Sequence, residues 1–195
     1  MIRTDFERNR AGIVALHTER HAHLVEGVIR WARPKHVLEI GAFQGYMSVT
    51  IARALWEVWQ DDSSRLSIID NFHDYRTNPA LLSRNMNECG ISNYEVLMGT
   101  SETVTPPEID MAVIDGDHSY EWAWRDTKLA IEAGAWILMW HDSHSYEGVR
   151  MAVDHVRLMP NWGVVELPFD AGYALAIERF DAGPAEIPLD RSYTP

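Results

Sequence analysis

Two short stretches concentrate the side chains that could do chemistry. In Asp115-Gly116-Asp117-His118-Ser119-Tyr120, two carboxylates and an imidazole fall close together; in His141-Asp142-Ser143-His144, a carboxylate lies between imidazoles. Burying unpaired charge is costly, so such a gathering points to a metal, a substrate or acid–base work. Carboxylates suit Mg2+ or another hard divalent cation, and an imidazole among them softens the set toward Mn2+ or Zn2+. A histidine titrates near neutrality and can take a proton from a hydroxyl at pH 7. The plainer role for His118 is structural, hydrogen-bonded to Asp142 or Asp126.

These groups need elements to position them. Both stretches follow short apolar runs, Asp110–Asp115 and Ala135–Trp140, which read as a fourth and a fifth buried strand. The first strand is Val37-Leu38-Glu39-Ile40, and Gly41-Ala42-Phe43-Gln44-Gly45 turns it into a helix opened by Tyr46 and Met47. A glycine there lets a ligand approach the main chain closely. The second strand, Leu66–Asp70, ends in an acid. That carboxylate could accept from both hydroxyls of a ribose, or cap the loop that starts at Asn71. Tyr94–Met98 is a third strand, and the Gly99-Thr100-Ser101 that follows could meet an adenine edge. Two more strands are expected near Val164–Leu167 and Tyr173–Glu178, joined without a helix.

Helices alternate with these strands. Gly12–Trp31 carries a stripe of Leu24, Val25, Val28 and Ile29 and stops before Pro34; its His17, His21 and His23 could bind a metal but read first as solvated. Asn78-Pro79 is an N-cap followed by proline at the first helical position. Glu121–Glu132 and the Val149, Ala152, Val153, Val156 pattern give two more helices. The alternation predicts an α/β fold, doubly wound around a mostly parallel seven-stranded sheet with an antiparallel last strand. One domain over residues 1–180 is expected, with residues 1–33 as a helical cap and 181–195 as a proline-containing tail.

Composition narrows the partners. The chain has 195 residues and a net charge of -12, which disfavours a nucleic-acid backbone as substrate. No apolar run approaches membrane-spanning length, and the charged start lacks the apolar core of a signal peptide. Cys89 is the single cysteine, so no internal disulfide forms and a reducing, cytoplasmic setting is expected.

The spacing Glu39-x-Gly41-x-x-x-Gly45 is not the Gly-x-Gly-x-x-Gly dinucleotide fingerprint. It resembles the first motif of class I methyltransferases, which bind S-adenosylmethionine (SAM). The wider set of Asp115–Tyr120, Asp126, Gly134 and His141-Asp142 resembles methyltransferase family 24, over roughly Arg33 to Val153. Ala135 stands where that family usually has a second glycine, and Trp140 is larger than typical and would narrow the site. The resemblance implies a class I methyltransferase fold and SAM held by Glu39, Gly41, Ala42, Gly45, Tyr46, Asp70, Asn71, Ser101 and Asp115. It also implies a divalent cation on Asp115, His141 and Asp142. The base falls on His118 by the catechol-type pattern and on Asp117 by the sugar-modifying one. The implied reaction is methyl transfer to an oxygen of a small-molecule acceptor, with a homodimer left open. A non-catalytic SAM-binding module keeps the glycine turn without needing Asp117 and His118. A metal-dependent hydrolase, or a hydroxylase-related protein on this fold, would use the acid–imidazole cluster, but the hydrolase leaves Glu39, Gly41 and Asp70 unexplained. A nicotinamide dehydrogenase is disfavoured by the missing fingerprint.

Overall fold

The computed structural model describes Ile13 and residues 19–61, 63–74, 76–167 and 171–179. Among the described residues, five helices and seven strands follow in chain order: α1 (Glu19–Ala32), β1 (His36–Ile40), α2 (Tyr46–Trp59), β2 (Arg65–Asp70), α3 (Pro79–Glu88), β3 (Tyr94–Met98), β4 (Met111–Ile114), α4 (Tyr120–Glu132), β5 (Ile137–His141), α5 (Glu147–Arg157), β6 (Trp162–Leu167) and β7 (Tyr173–Glu178). The strands form one sheet in the order β3-β2-β1-β4-β5-β7-β6. All described pairs are parallel except those of β7, which runs antiparallel between β5 and β6. This is the doubly wound, mostly parallel seven-stranded sheet that the alternation of elements predicts.

Side chains alternate along each strand, so the sheet feeds two cores. Val37 of β1 and Ile137 and Met139 of β5 pack on the side of α1, α2 and α3. Leu38 and Ile40 of β1, with Leu138 and Trp140 of β5, pack on the side of α4 and α5. Parity therefore places Glu39 and His141 on the α1–α2 side.

Local signals set the element ends. The Asn78 side chain accepts from the Leu81 N–H at 2.9 Å, and Pro79 opens α3. After α1 the chain turns through Arg33, at φ 54, into Pro34. The expected start of that helix near Gly12 and the tail beyond Phe180 lie outside the described residues. β5 lies further along the chain than the sequence suggests. Ala135 donates back to the Ala130 carbonyl at the end of α4, and Trp136 donates to Asp110, so pairing begins at Ile137 and carries His141 into the strand. Trp140 does not narrow the site. It is fully buried on the opposite face from His141 and donates from Nε1 to Thr127 Oγ1 at 2.9 Å.

Candidate active site

The sheet order reverses between β1 and β4, and ligands of open α/β sheets bind at the carboxyl ends of strands beside such a reversal. Here the two strand ends touch. The Asp115 N–H donates to the Ile40 carbonyl at 2.8 Å. Gly41, at φ +87, packs so tightly that a Cβ there would lie 2.2 Å from the Asp115 carbonyl oxygen. Gly45, at φ +91, is the N-cap of α2 and supplies no side-chain cap, which leaves amides at the helix start available to a ligand. Ala42 and Tyr46 are buried in the turn.

Glu39 lies beneath this turn and is 1% exposed. Its Oε2 has no hydrogen-bond partner among the described residues. Burial pushes its pKa up to about 8; the nearby Ser48 hydroxyl pulls it down, and Asp115 and Asp70 push it up. An ammonium group seated beside it would restore the ionised form. The pH dependence follows from the sign. The folded state keeps a proton that the unfolded state releases near 4.5, so stability falls as pH rises from about 4.5 to about 8 and is flat above. Glu39→Gln is expected to remove that slope and to unfold at higher urea than the parent near pH 8, by up to a few kcal/mol at about 1.4 kcal/mol per pKa unit. Parallel pH profiles of the two proteins would show that Glu39 is already ionised.

Asp70 is bound into the same loop. Its Oδ2 accepts from the Ala42 N–H at 2.8 Å and the Phe43 N–H at 3.1 Å, and its Oδ1 from the Phe72 N–H at 2.6 Å. The carboxylate thus ties the end of β2 to the glycine turn, with acceptor capacity left for a hydroxyl donor. Asn71 is exposed and accepts from the His73 N–H at 3.0 Å. Ser101 lies beside buried Asp126, whose pKa burial raises to about 6 while the Ser101 hydroxyl opposes the rise.

The ends of β4 and β5 bring four titratable side chains together. His141 Nδ1 is 3.0 Å from Asp115 Oδ1 and 3.4 Å from Asp142 Oδ2. His118 Nε2 is 3.0 Å from Asp142 Oδ2 and 3.8 Å from Asp115 Oδ1. Asp115 and Asp142 push the pKa of His118 up to about 9, against desolvation. Asp142 is the nearer charge, but the Nε2 of His118 makes no aligned hydrogen bond to either acid. Burial lowers the pKa of His141, but the same two acids outweigh it and raise it to about 9. Burial raises Asp142, and the imidazoles more than reverse this. The two carboxylates thus favour positive charge beside them, whether imidazolium or a divalent cation. Asp115, His118 and Asp142 offer ligand atoms within 4.8 Å of one another. In charge and donor type the cluster fits a divalent cation. Asp117 is exposed, and its carboxylate accepts from the Ser119 N–H at 2.8 Å at the start of α4.

Two residues of this neighbourhood escape the sequence reading. His21 is 1% exposed, not solvated. Its ring meets His141 at 4.8 Å and Tyr173 at 5.0 Å. His23, on the same helix, is exposed near Glu26. The signal for His21 was its spacing: it leads Val25, Val28 and Ile29 at i+4, i+7 and i+8, on the apolar face of α1. Tyr173 faces His141 across the antiparallel β5–β7 pair, a register that the sequence does not display.

A glycine turn and an acid–imidazole cluster at the carboxyl edge of this sheet define a class I SAM-dependent methyltransferase. Residues 38–143, more than half of the chain, match the family described as "Methyltransferase domain", and the chain belongs to that family. No curated protein matches the chain in sequence. Among solved structures, the fold is similar to an O-methyltransferase from Bacillus cereus in complex with SAH, at 14% identity, TM-score 0.73 and 92% coverage of each chain. It is also similar to a SAM-bound O-methyltransferase of tomaymycin synthesis from Streptomyces achromogenes, at 16% identity and TM-score 0.71, covering 92% of this chain and 91% of that one. A third is the SAH-bound methyltransferase from Podospora anserina, at 13% identity and TM-score 0.69, covering 90% of this chain and 86% of that one.

Proposed function

We propose that this methyltransferase moves the methyl group of SAM to an oxygen of a small-molecule acceptor. The observation that carries the reading is the contact of Gly41 with Asp115, which sets the glycine turn beside the cluster of Asp115, His118, His141 and Asp142. The methyl donor would lie along the turn. Its amino-acid part meets Glu39 and the Gly41–Gly45 backbone, its ribose meets Asp70, and its adenine lies toward Asn71 and Ser101. The sulfonium supplies an electrophilic methyl, and a divalent cation on Asp115, Asp142 and His141 would lower the pKa of an acceptor hydroxyl. His118 Nε2 then takes the hydroxyl proton, and the cluster holds the acceptor oxygen in line with the methyl. A second ligand set, with His118 replacing His141, is supported by the close grouping of Asp115, His118 and Asp142. Loss of Mn2+ binding in His118→Ala but not in His141→Ala selects it.

Support for a small acceptor, not a nucleic acid, is the net charge of -12. Among the described residues, no helix is long and apolar enough to cross a membrane. A methyl-transfer screen with labelled SAM across phenols, sugars and amines, with and without Mg2+, tests the reading. Labelled product only from amines would overturn oxygen as the target.

The donor half is tested separately. Asp70→Ala is expected to weaken SAM binding by roughly 1.5–3 kcal/mol, the range for a hydrogen bond to a charged group. Calorimetry reads this directly, and unchanged affinity in a folded variant takes Asp70 out of the site.

A further inference from the structure

We infer that Tyr146 is a positioning residue that holds the His118 imidazole against Asp142. The inference rests on the reading of His118 given above and adds a residue that the glycine turn and the acid–imidazole cluster leave unused. The Tyr146 ring lies parallel to His118, with centroids 4.1 Å apart and planes 11° apart. Tyr146 is 46% exposed, so burial alone does not explain its place. Its hydroxyl has no hydrogen bond among the described residues, so the contact is made by the ring.

The backbone explains how the ring arrives there. Asp142 takes φ 60, a left-handed conformation that few side chains adopt, and this bends the chain as it leaves β5. The N–H groups of Ser145 and Tyr146 both donate back to the Asp142 carbonyl at 3.1 Å. Two residues on, Gly148 brings the start of α5 directly onto the backbone before α4. A Cβ at Gly148 would lie 2.4 Å from the His118 carbonyl oxygen and 2.4 Å from the Tyr120 nitrogen. The result is a closed triangle. Asp142 anchors the backbone of Tyr146, the Tyr146 ring covers one face of His118, and His118 Nε2 returns to Asp142 Oδ2 at 3.0 Å. With its side chain about one-third exposed, the imidazole would otherwise be able to swing toward solvent. A flat ring against its face keeps the in-plane Nε2 3.0 Å from Asp142 Oδ2 and 3.8 Å from Asp115 Oδ1.

The test combines spectroscopy with kinetics. Ring protons of His118, assigned by their loss in His118→Ala, should be displaced by the ring current of Tyr146. Tyr146→Ala should abolish that displacement, and Tyr146→Phe should keep it. With the acceptor found in the labelled-SAM screen, Tyr146→Ala should lower kcat roughly 10-fold or more, as a misplaced reacting group does. SAM affinity should stay within about twofold, and Tyr146→Phe should restore kcat. In a His118→Ala background, Tyr146→Ala should add nothing further. The proposal is overturned if the His118 signals are the same in Tyr146→Ala, if Tyr146→Phe fails like Tyr146→Ala, or if Tyr146→Ala still lowers kcat without His118. A fully active His118→Ala would instead sink the proton-transfer reading, and the ring-current result would still decide the stack.

Discussion

His118→Ala is expected to lower methyl transfer about 10²–10⁴-fold, the range for losing a general acid or base, while SAM affinity stays nearly unchanged. The separation follows from the layout: His118 lies against Asp115 and Asp142, whereas the residues proposed to hold the donor lie along the glycine turn and at Asp70. The pH dependence carries a sign. Its two carboxylate neighbours raise the pKa of His118 to about 9, so the neutral, proton-accepting form accumulates only as pH rises through that value. Turnover without added metal should therefore climb toward pH 9, and Mg2+ or Mn2+, by compensating the carboxylates, should move the climb to lower pH. Asp142→Ala should remove the response to the cation, and EDTA should do the same in the parent. Activity that survives complete chelation would leave the cluster to act through hydrogen bonds alone. The contrasting variant is Asp117→Ala. That side chain is exposed and accepts from the Ser119 N–H in a local turn ahead of α4, so its loss should cost about 1 kcal/mol of stability or less and little turnover. If Asp117→Ala is the variant that loses turnover, the proton goes to Asp117 and not to His118.

Much of the architecture is legible in the sequence because local chemistry repeats it. Short apolar strands, the Asn78-Pro79 start of α3 and the glycines flanking the first turn each signal structure within a few residues. The site is legible in the same way where adjacent residues carry it, as in Asp115–His118 and His141-Asp142. What depends on partners far along the chain is not. Tyr173 reaches His141 only through the antiparallel register of β5 and β7, and Tyr146 reaches His118 only through the turn at Asp142 and the close approach at Gly148. Asp70 shows the ambiguity that remains: an acid ending a strand suits a ribose or a loop, and here three backbone N–H groups already hold it. β5 is apolar on both faces, so its alternation is hidden, and the direction of Trp140 emerges only from the packing.

Gly41→Ala is expected to be severely disruptive for the addition of a single methyl group. The added Cβ would lie 2.2 Å from the Asp115 carbonyl oxygen, 2.6 Å from its carbon and 2.9 Å from the Gly116 Cα, all backbone atoms. They cannot step aside cheaply, because Ile40 pairs with Ile114 and the Asp115 N–H is bonded to the Ile40 carbonyl. Alanine at φ +87 adds its own strain of roughly 1–2 kcal/mol, and overpacking adds about 1–3 kcal/mol. The sum, about 2–5 kcal/mol, is a large share of the roughly 5–15 kcal/mol that holds a domain folded. Gly45→Ala is the control. Its φ is similar, +91, but the nearest atom to the new Cβ is Leu82 Cδ1 at 2.4 Å, the end of a side chain that can change rotamer. Urea unfolding should therefore rank the parent above Gly45→Ala and Gly45→Ala above Gly41→Ala. If Gly41→Ala stays folded in buffer, it should still lose methyl transfer more than Gly45→Ala does, since relief of the clash has to shift the backbone that carries Asp115. A Gly41→Ala variant within about 1 kcal/mol of the parent would show that the ends of β1 and β4 are not locked together, and that the glycine turn proposed for the donor is not fixed against the acid–imidazole cluster.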